Sequence, residues 1–204
     1  KYPEIDLIEL PENLGFAGGN NAGFKSVTSK ADYTIFLNND TIVDPYFVEP
    51  LINELEIKSN TKQTAPKIYY ADKPETIWFA GGKVNLWTGF IRHIGIRKKD
   101  SHDYSKKREI DYATGCCICM RTQDFESIGL FDQTFPMYAE DVDLSIRLKQ
   151  KGGSIVFIPK SKVWHKVSAS LGGEFSIVKW KRKLIGKIKL VAKHCKLYQI
   201  PFSV

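Results

Sequence analysis

Long hydrophobic runs are missing from this 204-residue chain. No stretch approaches the ~20 consecutive apolar residues that a bilayer-spanning helix needs, and the first residues carry no secretory leader pattern. A membrane-spanning or exported protein is therefore not expected. Cysteine is scarce at four residues. Three of them, Cys116, Cys117 and Cys119, crowd into "TGCCICMR", a spacing that fits neither a zinc ribbon nor a disulfide framework. They read as small apolar fillers of a buried strand in a reducing compartment. Acid is absent from Phe175 to Val204, where eight Lys or Arg occur. Without those eight, 22 basic residues face 23 acidic ones, so the net charge of +7 is local to the tail. A near-neutral body argues against nucleic-acid binding and for one electrostatic task at the end of the chain.

What is present alternates strands with helices. "IDLIEL" (Ile5–Leu10) has the period of a half-buried strand, and "ENLGFAGGNNAGFKS" reads as a Gly/Asn-rich loop entering a helix. "DYTIFL" is a continuous apolar run suited to a sheet covered on both faces. Asp44-Pro45 looks like a helix start, with Pro50 kinking the helix or shifting its first turn. "APKIYY" predicts a strand, "IWFAGGKVNLWTGFIRHIG" a Gly-punctuated hairpin region, and the charged "RKKDSHDYSKKRE" a mobile surface loop. "IDYATGCCICMRT" predicts a strand, "DFESIG" a short helix, "VDLSIRLKQKGG" a longer one, and "SIVFIP" a final strand. The pattern implies an α/β domain with a mostly parallel sheet over residues 1–173, followed by a basic amphipathic helix over 174–204.

In such sheets ligands bind outside the carboxyl ends of the strands. "NND" (Asn38, Asn39, Asp40) stands at one such end, and Asp40 offers a hard oxygen ligand for Mg²⁺ or Mn²⁺. The same three residues would also serve as an Asx turn, and the local sequence does not separate the two readings. Glu140, Asp141 and Asp143 open a helix. N-capping and dipole compensation account for them, yet Asp141 is also placed as an ionised general base. His165 follows the last predicted strand through a short loop, where a third contact to a metal is reasonable. In the tail, Ile177, Val178, Leu184, Ile185, Ile188 and Val191 form an apolar stripe among cations, a combination suited to an anionic membrane surface.

"ENLGFAGGNNAGF", "YTIFLNNDTIVDP", "YATGCCICMR" and "GLFDQTFPMYAEDVDLSIRLKQKGGSIVFIPKSKVWH" resemble, in that order, the signatures of family 2 glycosyltransferases of the rhamnosyltransferase-like branch. The resemblance runs from about Ile5 to His165. It implies a Rossmann-like A-type glycosyltransferase fold and an inverting, metal-dependent transfer from a UDP- or dTDP-sugar to a glycan or lipid-linked acceptor of cell-surface polysaccharide. Asp40 matches the metal-binding aspartate of an Asp-x-Asp-type motif, with Asn38 in place of the first acid and Asn39 between them. Asp141 matches the base that deprotonates the acceptor, with Glu140 beside it, and His165 matches a histidine that completes the metal site. Asn13, Gly15 and Asn20 match a loop near the nucleotide, and Gly115 a glycine lining the sugar pocket. Members usually begin with a strand, a helix and a second strand that hold the base; this chain starts after them, so a fragment with an exposed sheet edge is expected. A cytoplasmic protein, peripheral on the inner membrane face, follows. A glycosidase is disfavoured because it needs one protonated carboxyl as acid, whereas a cation and a helix N-terminus keep these aspartates ionised. The competing reading is a non-catalytic sugar-nucleotide or glycan-binding module.

Overall fold

The computed structural model describes residues 5–27, 31–135, 137–167 and 177–195, with side chains from 180 onward in the last segment. Helix α1 (Gly15–Ser26) and strand β1 (Tyr33–Leu37) lead through a tight turn into β2 (Thr41–Val43). Helix α2 (Val48–Ile57) precedes β3 (Thr61–Tyr70), β4 (Lys73–Phe79) and a hairpin of β5 (Gly82–Asn85) and β6 (Phe90–His93). Then come β7 (Arg108–Glu109), β8 (Cys117–Arg121), α3 (Thr122–Ser127), α4 (Glu140–Gln150), β9 (Ser154–His165) and α5 (Ile177–His194).

Seven strands form one mixed sheet in the order β1-β8-β3-β9-β2, with β4 added to β3 and β7 to β9. The long β3 and β9 pair in parallel. Strand β8 runs antiparallel to both β1 and β3, so β1, β3 and β9 share one direction and end at one edge, at Leu37, Tyr70 and His165. Among the described residues β1 pairs on one side only, with β8.

Period-two alternation sorts the core onto two faces. Cys119, Val156 and Ile158 meet Leu51 and Leu55 of α2 on one face. Ile118, Met120, Ile155 and Phe157 belong to the larger cluster on the other, with Phe24, Phe36, Phe125 and Phe131. Coverage on both faces is why "CCICM" is continuously apolar; β1, at the sheet edge, buries only Phe36 and leaves Leu37 40% exposed, so the two-face coverage expected of "YTIFL" is not met. Cys116, Cys117 and Cys119 are buried, and burial pushes the Cys119 thiol up to about 12, in keeping with a filler role.

Four sequence expectations change. Ile5–Leu10 forms no strand; its alternation finds no ladder partner, and Leu7 stays 81% exposed, since a lone strand leaves its backbone groups to water. The segment 97–109 is ordered: Arg97, Lys98 and Asp100 exchange backbone hydrogen bonds with Ile77 and Glu75, and a 3₁₀ turn covers His102–Tyr104. The buried Lys67 ammonium and the Tyr69 hydroxyl draw it in by donating to Asp100 at 2.9 and 2.6 Å. Helix α2 starts only at Val48, with Pro50 in its first turn and the Asp44 carboxylate accepting from Tyr46 N. β9 runs on to His165, so that histidine belongs to a strand and not to a loop.

Candidate active site

The turn between β1 and β2 is closed by backbone atoms. Asn38 N donates to Cys116 O at 3.0 Å, and the Thr41 hydroxyl donates to Asn38 O at 2.7 Å. The β2–β9 register sets Thr41 opposite His165, and Lys166 N donates to Asp40 O at 2.8 Å. These bonds bring the Asp40 carboxylate beside the imidazole, with Oδ1 3.1 Å from Nε2. Trp78 packs edge-on against the His165 ring, 4.7 Å between centroids. Burial lowers the His165 pKa and Asp40 opposes that shift, leaving a neutral imidazole of the kind that ligates metals.

Beyond its 3.1 Å contact with His165 Nε2, the buried Asp40 Oδ1 has no well-aligned hydrogen bond, and an incompletely satisfied buried oxygen is costly unless a ligand pairs with it; His165 Nδ1, the ring nitrogen not facing Asp40, is also without a partner. The 3.1 Å separation is that of a direct hydrogen bond, and it also equals the roughly 3 Å spacing of two adjacent ligands on a Mg²⁺-sized ion. No third His, Cys, Asp or Glu joins them among the described residues. That suits hard cations that complete their shell with water and substrate phosphate.

The second centre opens α4. Tyr138 and Ala139 adopt left-handed backbone, φ +71° and +73°. Two such non-glycine residues in succession are strained by about 1–2 kcal/mol each. Beyond them the Asp141 carboxylate accepts from Gly115 N and from Val142 N, both at 2.8 Å. Glu140 is buried, and its Oε2 has no partner. The helix N-terminus was expected to keep Asp141 ionised; the state of Glu140, on which the sequence offered no expectation, is decided by burial. Burial, then the Asp141 charge, pushes Glu140 up to about 8. Burial also raises Asp141, against the pull of its N–H donors. Those donors favour the anion on Asp141, so at neutral pH Glu140 keeps the proton.

The two centres are stitched by "GC". Gly115 N holds Asp141, while Cys116 O holds the Asp40 turn. A Cβ at Gly115 would lie 2.8 Å from the tip of the Phe16 ring, so this glycine also lets α1 approach. Tyr112 is buried close enough to Asp141 to feel its charge.

The remaining expected residues sit further along. Asn39 is exposed and Asn38 half-buried in the turn. Asn13 Oδ1 accepts from Gly15 N at 2.9 Å, an Asx turn just ahead of α1. Asn20 Nδ2 donates to Phe16 O within that helix. Gly15 and Asn20 border an open groove of about 560 Å³ between α1 and β1; no described contact brings Asn13, Gly15 or Asn20 to Asp40 or Asp141.

Two polar residues, His93 and Asn21, escaped the sequence reading, and a third, Asp143, was read only as part of a helix start. His93 lies edge-on to Trp78 and Phe79. Burial takes it down to about 4, and its Nδ1 is 3.2 Å from Trp78 O; the neutral ring therefore donates from Nδ1 and leaves Nε2 to accept. Asn21, buried, exchanges two hydrogen bonds with the Phe131 backbone. Asp143, fully buried, accepts from Arg147 Nε at 2.8 Å and from Lys193 and His194 at 2.7 Å. Doubled asparagines and a third acid were the only hints for the last two, and nothing in the hairpin sequence singled out His93.

The signature of the family described as "Glycosyl transferase family 2" matches residues 1–129. An N-acetylglucosaminyl-diphospho-decaprenol L-rhamnosyltransferase of Mycobacterium tuberculosis is 23% identical over 197 residues, covering 84% of this chain and 62% of that protein. Rhamnosyltransferase WbbL of Escherichia coli is 27% identical over 161 residues, covering 74% and 60%. The chain thus spans about three fifths of both. A crystal structure of GalNAc-T7 with UDP, GalNAc and Mn²⁺ superposes at TM-score 0.64 and 17% identity, over 90% of this chain and 35% of that one. The fold is that of an A-type glycosyltransferase.

Proposed function

The chain belongs to glycosyl transferase family 2, and we propose that it transfers a sugar, with inversion, from a UDP- or dTDP-sugar to a glycan or lipid-linked acceptor in cell-surface polysaccharide synthesis at the cytoplasmic membrane. The observation that carries this reading is the convergence of Asp40 Oδ1 and His165 Nε2 at 3.1 Å, at the edge where β1 and β9 end, with buried polar atoms left for a ligand. Asp40 and His165 would hold Mg²⁺ or Mn²⁺, whose chemistry is to offset charge on a leaving diphosphate.

Asp141, kept anionic by two N–H donors and poised by burial, takes the proton of the acceptor hydroxyl. The hydroxyl oxygen bonds to the anomeric carbon as the bond to the diphosphate breaks on the opposite face, inverting the centre. Glu140, protonated, stands beside the acceptor as a hydrogen-bond donor. The strained Tyr138–Ala139 turn fixes the angle at which both carboxyls enter the site.

Calorimetric titration of UDP and dTDP, with and without Mn²⁺, tests the donor site. Binding is expected to need the ion and to vanish in Asp40→Ala. Asp141→Asn should then abolish turnover while donor affinity persists. Loss of both together would remove the base role, and binding by wild type without any turnover would favour the non-catalytic binding module.

A further inference from the structure

Helix α5 has two working faces. Its inner face packs on the body: Leu190 is 1% exposed, and a Cβ at Gly186 would lie 2.5 Å from Tyr138 O. Lys193 and His194 reach Asp143 of α4, and Lys183 lies over the Tyr138 ring. The helix therefore rests directly on the turn that carries Glu140 and Asp141. Residues two apart are separated by about 200° around a helix, so Ile188 points away from Gly186 and Leu190. With it on the outer arc lie Trp180, Leu184 and Ile185, exposed by 66%, 40% and 46% against 58% for Ile188.

Four large apolar side chains facing water on one helix call for an occupant. The segment from Phe175 onward has eight basic residues and no acid. A second copy of the chain would set like charges against each other. An anionic lipid surface satisfies both features at once, because the apolar arc enters the acyl boundary while lysines at its flanks meet the headgroups. No helix among the described residues is long and apolar enough to cross a membrane, so the attachment is a surface one.

We infer that the Trp180–Leu184–Ile185–Ile188 face of α5 docks on an anionic lipid bilayer and thereby holds the Tyr138–Asp141 turn at the membrane plane, within reach of an acceptor carried on lipid. The orientation of the turn rests on the proposed transferase reading; the docking itself does not.

The test is co-sedimentation of the whole chain with vesicles of equal parts phosphatidylglycerol and phosphatidylcholine, and with phosphatidylcholine alone. Binding to the anionic vesicles, weakened by salt, is expected. Leu184→Glu and Ile188→Glu should each lower partitioning at least tenfold, about 1.4 kcal/mol, while UDP binding in Mn²⁺ and the melting temperature stay as in wild type. Ile188→Gln, which adds no charge, should also weaken it. Equal partitioning of wild type and Ile188→Glu overturns the proposal. So does sedimentation velocity showing a dimer that Ile188→Glu dissociates, since a second copy would then cover the face. Failure of the Asp40-dependent donor titration would sink the transferase reading and leave the vesicle result standing.

Discussion

Replacing Glu140 with glutamine isolates the energetic consequence of burying a carboxyl next to Asp141, the proposed base. In the folded chain burial pushes its pKa from 4.5 up to about 8, so the native state retains a proton that the unfolded chain releases. Stability from this group is whole below the unfolded value and is lost as pH rises through the folded one. A shift of 3.5 units from 4.5 to about 8 corresponds to a ceiling of about 5 kcal/mol at 1.36 kcal/mol per unit. His93 and His165, both shifted down by burial, act with the opposite sign, gaining stability as pH rises from their folded value up to the unfolded 6.5 and holding it above that. Comparing Glu140→Gln with wild type cancels them. Urea unfolding of both proteins at about pH 5 and about pH 9 should show the variant gaining at least about 2 kcal/mol on wild type across that range. Parallel stability profiles would mean that Glu140 ionises freely in the folded chain, and the one-proton description of the Glu140–Asp141 pair would fall with them.

Asp143→Asn should lose about 3–5 kcal/mol of unfolding free energy, because Arg147, Lys193 and His194 all converge on that carboxylate; a change below about 1 kcal/mol in urea melts would remove it as the tie between α4 and α5. Gly186→Ala puts a methyl 2.5 Å from Tyr138 O and should destabilise by about 1–3 kcal/mol, lowering kcat with donor affinity intact; unchanged melting and turnover would show that α5 does not bear on the turn. Cys116, Cys117 and Cys119, buried with raised thiol pKa values, should resist a thiol-specific reagent at neutral pH until denaturant is added. Rapid modification of more than the half-exposed Cys195 would contradict the packing of β8.

Local signals carried the elements whose reasons are local. The apolar run of β8 reported two covered faces, that of β1 did not, and Pro50 correctly announced a delayed α2. Where a partner decides, the sequence was mute. Ile5–Leu10 alternates like a strand but has no neighbour to pair with, whereas the charged 97–109 segment lacks any period and is ordered because buried Lys67 requires Asp100. Asp40 and His165 were each suspected from their place after a strand, yet their contact is made by a β2–β9 register that nothing local encodes. The protonation of Glu140 went unforeseen for a related reason: a helix N-terminus is visible in the sequence, and the burial that decides the state of Glu140 is not.

Asp40 and Asp141 are held in opposite ways, and the difference matches the work proposed for each. Around Asp40 the turn is fixed by main-chain atoms: Asn38 N, Asn38 O and Asp40 O accept or donate every described bond that shapes it. The Asp40 side chain is therefore not needed for folding, and its Oδ1 is left buried beside His165 for a ligand to satisfy. Asp141 instead has both oxygens held by N–H groups, which fixes the carboxylate in one orientation and favours its anion. A residue that ligates a cation gains from an unsatisfied oxygen, while a residue that takes a proton gains from a fixed direction. Exchanging the two arrangements would leave a base free to rotate and a ligand already saturated. The loss from Asp40→Ala should accordingly appear in donor binding with little change in stability, whereas Asp141→Ala, which frees Gly115 N, should also loosen the junction between β8 and α4, and amide exchange at Gly115 in the two variants measures that contrast directly.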